Sequence, residues 1–208
     1  MPIQSQNILS QLDFDNNRII IEEFQNLWKK KNDGTCGVYE DAIKDYIIEH
    51  SQNTNFNQVL IKCTLINRLY STRISLAALI KIANQIVREQ SFDQSLKEGK
   101  LESVDAIRQA PGTKDNFAFA TKYCALHKNE YYPIFDSLSV ETLWIYNETS
   151  KYTNEITETT LEDFKKSLRR IDGYSRYIKI YDDFIKSFGL SDYNYRQVDK
   201  YLWTVLKD

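Results

Sequence analysis

Residues that break or staple a backbone are scarce in this chain. Three prolines and six glycines among 208 residues leave too few punctuation points for a fold of many short strands. The three cysteines, Cys36, Cys63 and Cys124, are odd in number, far apart and free of Cys-x-x-Cys spacing. That excludes a self-contained disulfide framework and points to buried thiols in a reducing compartment. Two histidines are present, His50 and His127, and neither stands in a His-x-x-x-His or His-x-Glu setting, so no metal is expected. No apolar run approaches the length that a bilayer crossing needs, and no secretory signal precedes Pro2. A cytoplasmic protein without a membrane partner is the expectation. Glycine-rich phosphate loops, Gly-x-Ser-x-Gly elbows and Cys/His nucleophile patterns are also missing, and nothing asks for a cofactor. Strong positive charge is absent too. With a formal net charge of −2 and a pI near 5.8, any contact with nucleic acid must rest on a local basic face.

What is present is ordinary globular material, 42% hydrophobic and 27% charged, in a chain long enough to build one core without metals or disulfides. Apolar residues recur mostly at spacings of three and four, so the expected class is all-α, in one cooperative domain over residues 1–208. Ile19, Ile20, Phe24, Leu27 and Trp28 mark an amphipathic helix that Lys29-Lys30-Lys31 and Gly34 bring to a close. Further helices follow through Tyr39, Ile43 and Ile47, over Phe56 to Leu69, and from about Ser75 to Glu89. The last of these carries so few polar positions that much of its surface should be buried. A helix from Leu101 must end at Pro111-Gly112, another runs from Asp115 to Leu126, and a third starts at Asp136 after Pro133. Thr159-x-x-Glu162 reads as a capping box, Gly189-Leu190 as a Schellman stop, and Asn194-x-x-Gln197 as the opening of the last helix.

Two segments stand out by their order. The first is Leu69-Tyr70-Ser71-Thr72-Arg73-Ile74-Ser75, joining two helices. The second runs Gln109-Ala110-Pro111-Gly112-Thr113-Lys114, then a helix, then Tyr132-Pro133-Ile134-Phe135-Asp136-Ser137. Helix, Pro-Gly hairpin, helix and Pro-x-x-Asp in succession resemble the helix-hairpin-helix DNA glycosylase superfamily. In that superfamily the hairpin holds DNA phosphates, an aspartate after a proline turn performs chemistry, and an earlier interhelical turn wedges a side chain into the duplex. The resemblance spans about residues 55–147, with the hairpin near 110–114. It implies a two-lobed helical domain whose flanking residues 1–54 and 148–208 build the second lobe. Double-stranded DNA is the implied partner.

The chemistry sets the roles. A base inside a duplex must be flipped out, and a side chain must fill the hole. Arg73 falls at the wedge position, and its planar guanidinium can stack there and hydrogen-bond the orphaned base. Cleaving the N-glycosidic bond develops positive charge on the sugar, which the Asp136 carboxylate would stabilise while orienting water. Amides around Gly112 and Thr113, with Lys114, would hold phosphate. Tyr131, Tyr132, Phe135 and Trp144 are candidates to stack on the flipped base, with His127 beside them. Arg169 and Arg170, with Arg176 and Lys179, supply a candidate basic face. Each has a plain structural reading alongside: Asp136 as a helix N-cap, Pro111-Gly112 as a turn, the aromatics as core, and the C-terminal cations as a solvated helix face. Three departures from the pattern matter. Lys114 stands where the hairpin usually has its second glycine, Asn116 stands where bifunctional members carry a Schiff-base lysine, and no four-cysteine iron-sulfur loop follows. An enzyme on this scaffold would therefore be a monofunctional hydrolase. The alternative is a module on the same scaffold that binds DNA or a protein without catalysis.

Overall fold

The structure, a computed structural model, describes residues 35–206. The predicted helix through Ile19 to Trp28, the lysine run after it and the Cys36 side chain lie outside the described residues. Ten helices and no strand occur among the described residues: α1 (Thr35–Glu49), α2 (Phe56–Leu69), α3 (Leu76–Arg88), α4 (Phe92–Lys97), α5 (Glu102–Arg108), α6 (Phe117–His127), α7 (Ser137–Ser150), α8 (Leu161–Ser167), α9 (Gly173–Ser187) and α10 (Tyr195–Val205). The all-α expectation holds. No helix is long and apolar enough to cross a membrane among these residues.

Contacts divide the described chain into two compact units, one ending at Ile134 and the other beginning at Phe135. The sequence pattern groups residues 55–147 together, whereas the structure places α7 with the C-terminal helices. The reason is packing: α7 lies against α8, α9 and α10. In the first unit α2 packs on α1 and α3, and α6 packs on α1, α2 and α5. Val59, Cys63, Ile66, Ile82, Ala83, Ile86 and Ile107 have essentially no exposed surface there, and burying each branched aliphatic side chain contributes about 1.5–3 kcal/mol. The second unit is built around tyrosines. Tyr146, Tyr177, Tyr181 and Tyr201 are all buried, with Phe164 and Phe184 among them, and the Tyr146 and Tyr201 hydroxyls meet at 2.5 Å.

Local signals set most boundaries. Asn194 and Gln197 exchange side-chain bonds with each other's amides at 3.0 Å, a reciprocal capping box for α10. Gly189 takes a positive φ of 65°, the Leu190 amide reaches the Ile185 carbonyl and the Gly189 amide that of Lys186. These are the two bonds of a Schellman stop. The predicted cap at Thr159 is displaced by one residue: Thr160 caps α8 by accepting the Asp163 amide at 3.2 Å. The expected burial of α3 also needs correcting. Leu79, Ile82, Ala83 and Ile86 line its buried face, but Leu76 and Ile80, one turn apart, are 63% and 37% exposed.

Candidate nucleic-acid interface

The loop between α2 and α3 is held by side-chain bonds. Tyr70 ends α2, the Ser71 amide reaches the Arg68 carbonyl and the Thr72 amide that of Asn67. This is a Schellman arrangement with Ser71, at φ 48°, in the left-handed position that glycine normally fills. Arg73 then adopts a second left-handed conformation, φ 59°, that no helix cap requires. Asn67 fixes it: its Oδ1 accepts from the Thr72 hydroxyl at 2.5 Å and the Ile74 amide at 3.1 Å, and its Nδ2 donates to the Ile74 carbonyl at 3.1 Å. Ser75 closes the loop as N-cap of α3, accepting the Ala78 amide. Ile74 and Thr72 are half-buried while Arg73 is exposed.

A turn through Pro111 and Gly112 joins α5 and α6, which pack on each other. Gly112 has φ 69°, the Thr113 amide and hydroxyl both donate to the Ala110 carbonyl (3.2 and 2.7 Å), and Asn116 Nδ2 donates to the Thr113 hydroxyl. Arg108 spans the turn with two bonds to Asp115, Nε to Oδ1 at 3.0 Å and Nη2 to Oδ2 at 3.1 Å, while its guanidinium lies 4.7 Å from the Phe117 ring centroid. Asp115 Oδ1 also accepts the Phe117 amide, so a carboxylate already occupies the first turn of α6, where the resemblance puts phosphate. Lys81, on α3, donates its ammonium to the Gly112 carbonyl at 2.8 Å. Lys114 is exposed at the tip.

Asp136 is half-buried and caps α7, its Oδ1 accepting the Leu138 amide at 3.0 Å. Its two neighbours, Phe135 and Ser137, line a groove of about 310 Å³ together with Glu162, Lys165, Lys166 and Arg169. The Arg169 guanidinium lies 5.2 Å from the Phe135 ring centroid. Lys165 pairs with Glu141 at 3.0 Å, and Lys166 approaches Glu162 at 3.7 Å. Arg169 and Arg170 are exposed. Arg176 is not part of an open basic face: it donates to both Glu158 oxygens, to the Glu155 carbonyl and to Ser167, and it holds the Glu158 carboxyl down to about 2.

The predicted stacking set is divided between the two units, with Tyr131, Tyr132 and His127 in the first and Phe135 and Trp144 in the second. Tyr132 is a core residue whose hydroxyl bonds Ser103 and the Lys100 carbonyl at 2.9 Å. Phe135 packs edge-on against Tyr177, and Trp144 leans on Phe164. Tyr131, at 44% exposure, alone of the five is open. His127 stacks on Tyr123 and donates Nδ1–H to the Tyr123 carbonyl at 2.9 Å. Burial, with the Lys62 ammonium nearby, pushes its imidazole down to about 3.

Sequence reasoning missed a buried polar network beside His127. The Asp93 carboxylate accepts both the Asn53 amide and its side-chain Nδ2, and Asn53 Oδ1 accepts from Lys62 at 2.9 Å and the Tyr123 hydroxyl at 2.6 Å. Lys62 has no exposed surface, also donates to the Gln52 carbonyl, and is pushed down to about 8 by desolvation. Its position one residue before buried Cys63 gave no signal, because a lysine there reads as the edge of a solvated face. Among the described residues, no three His, Cys, Asp or Glu side chains converge as metal ligands.

Comparison with known proteins gives a family. The model of the HI_0787_N family, described as an N-terminal domain, matches residues 20–131, more than half of the chain, and the chain belongs to that family. The match includes Arg73 and the hairpin and stops short of Asp136. An uncharacterized protein of Haemophilus influenzae is 28% identical over 159 residues, covering 75% of this chain and 70% of its own length. No solved structure matches.

Proposed function

We propose that the chain binds double-stranded DNA and excises a base flipped out of it, as a monofunctional N-glycosylase on a helix-hairpin-helix scaffold. The backbone at Arg73 carries this reading. A non-glycine residue in the left-handed region costs about 1–2 kcal/mol, and such strain persists where surrounding bonds enforce it and gathers at functional sites. The cap of α2 accounts for Ser71, and at Arg73 the bonds of Asn67 to the residues on either side hold the left-handed backbone. The result is an exposed guanidinium on a rigid loop, which suits insertion into a base stack better than a residue on a loose one. Flipping a base costs a few kcal/mol, and an arginine that fills the gap and hydrogen-bonds the orphaned partner offsets part of that. Asp136 supplies the carboxylate that stabilises the developing positive charge and orients water. With Asn116 in place of an amine, the strand is left intact at an abasic site.

The test is incubation of the full chain with duplexes carrying deaminated, alkylated or oxidised bases, followed by alkali to reveal abasic sites. Alkali-dependent cleavage that disappears in Asp136→Asn, with DNA binding retained, is expected. Cleavage at wild-type rates by the variant would remove Asp136 from the chemistry. A second reading, binding without excision, is favoured by one observation: Asp136 is engaged as a helix cap and the aromatics near it lie in cores. Duplex binding with no abasic product from any substrate would establish that reading instead.

A further inference from the structure

We infer that Lys81 is the phosphate ligand of the hairpin, delivered from α3 to a nucleic-acid backbone at the Gly112 tip; the inference rests on the DNA-binding reading above. Lys81 Nζ lies 2.8 Å from the Gly112 carbonyl oxygen, and a Cβ built on Gly112 would come within 2.9 Å of that nitrogen. Glycine at 112 thus serves two ends, a positive φ and room for a cation. An ammonium has three donors, and the carbonyl engages one of them. Neither Lys81 nor Lys114 enters an ion pair among the described residues, whereas Asp115, the acidic group at the tip, is tied by both oxygens to Arg108. The tip therefore presents two ammonium groups that no carboxylate pairs with among the described residues.

This arrangement answers the departure in the sequence. Where the resemblance expects a second glycine, to let a phosphate approach backbone amides, the chain has Lys114, and Asp115 holds the Phe117 amide. Direct charge from Lys81 and Lys114 takes over the task. Arg73 lies in the loop that precedes α3, the helix that carries Lys81, and Leu76 and Ile80 on that helix are exposed.

The experiment is a salt titration of binding by the full chain to a fluorescein-labelled duplex, followed by anisotropy, for wild type, Lys81→Ala, Lys81→Gln and Lys81→Arg. Lys81 is exposed, and circular dichroism checks that the variants fold. Alanine and glutamine should each lower the slope of log affinity against log salt by about one and weaken binding roughly ten-fold at moderate salt, with arginine close to wild type. Glutamine is the deciding variant, since it keeps a polar side chain with N–H donors on the same helix position without carrying charge. A glutamine variant with wild-type slope would show that Lys81 only braces the turn and would overturn the inference. So would an unchanged alanine variant. If wild type itself shows no salt-dependent duplex binding, the DNA-binding reading falls along with it.

Discussion

Replacing His127 by phenylalanine should leave stability nearly unchanged at neutral pH and raise it above that of the wild type at acidic pH. His127 donates Nδ1–H to the Tyr123 carbonyl, stacks on the Tyr123 ring with centroids 4.6 Å apart, and has an enclosed Nε2 with no hydrogen-bond partner among the described residues. Burial first, then the Lys62 ammonium and to a smaller degree that of Lys128, pushes the imidazole down from 6.5 to about 3. The sign follows. Between these pH values the unfolded chain binds a proton at residue 127 that the folded chain refuses, so the contribution is whole above 6.5 and is lost as pH falls toward 3. At about 1.36 kcal/mol per pKa unit, going from pH 7 to pH 5 removes about 2 kcal/mol. At pH 7 phenylalanine forfeits one hydrogen bond, about 1 kcal/mol, and relieves a buried unpaired nitrogen that costs about as much, so the two proteins should differ little. Urea unfolding followed by circular dichroism at pH 7, 6 and 5 gives the comparison. The variant should match wild type at pH 7 and exceed it by about 2 kcal/mol at pH 5. Parallel curves for the two proteins would refute the idea that His127 is held neutral.

Three further outcomes follow from the same physics. Arg73→Gly should leave stability unchanged or raise it by up to about 1 kcal/mol, since glycine removes the left-handed strain at some entropic cost, while weakening binding to duplexes that carry a mismatch or abasic gap; a variant with lower stability and intact binding would mean that Arg73 is only structural. Asp136→Asn keeps an oxygen for the Leu138 amide, so the unfolding free energy should change by less than about 1 kcal/mol even where excision is abolished, and a large drop in stability would show that the charge of the carboxylate, beyond its role as a cap, holds the fold. Arg176 holds Glu158 down from 4.5 to about 2, so its contribution is present above pH 4.5 and lost as pH falls toward 2. Glu158→Gln should therefore cost about 2 kcal/mol at pH 7 and nothing at pH 2 by urea unfolding, and equal losses at both would rule out the charge as the cause.

Where a feature depends on residues close in the chain, it was legible in advance. Asn194 with Gln197, Gly189 with Leu190, and Pro111 with Gly112 each determine their own few bonds, so the caps and the hairpin could be read from the letters. The same reasoning slipped by one at Thr159, because Thr159-Thr160 and Glu162-Asp163 offer two capping pairs in adjacent registers, and the second is the one that forms. Long-range partners were invisible. Lys62 looks solvent-facing until the loop at Gln52 and Asn53 wraps over it, and Leu76 and Ile80 look like core until the neighbours of α3 turn out to cover only its other side. In the candidate site, the position of Arg73 was readable and its conformation was not, since the latter is set by Asn67 across an intervening turn. Of the aromatics flanking Pro133, Tyr132 and Phe135 are near Asp136 in sequence but are drawn by their area into cores, while Tyr131 stays exposed.

The loop and the hairpin share a construction that bears on how such a surface would work. In both, one polar side chain satisfies backbone groups that the turn leaves open: Asn67 at Thr72 and Ile74, Lys81 at Gly112. Each then leaves a cation, Arg73 or Lys114, exposed on a backbone that is already fixed. The conformational cost of the left-handed residues is met when the chain folds, out of the apolar burial of α2, α3 and α6, and no part of it falls due when a ligand arrives. Ordering a loop on binding costs about 1–2 kcal/mol per residue, so a six-residue loop fixed in advance spares a contact that would otherwise need much of its favourable energy for that purpose. Charges carried on a backbone that is fixed in advance cost less to order on binding than the same charges on mobile segments.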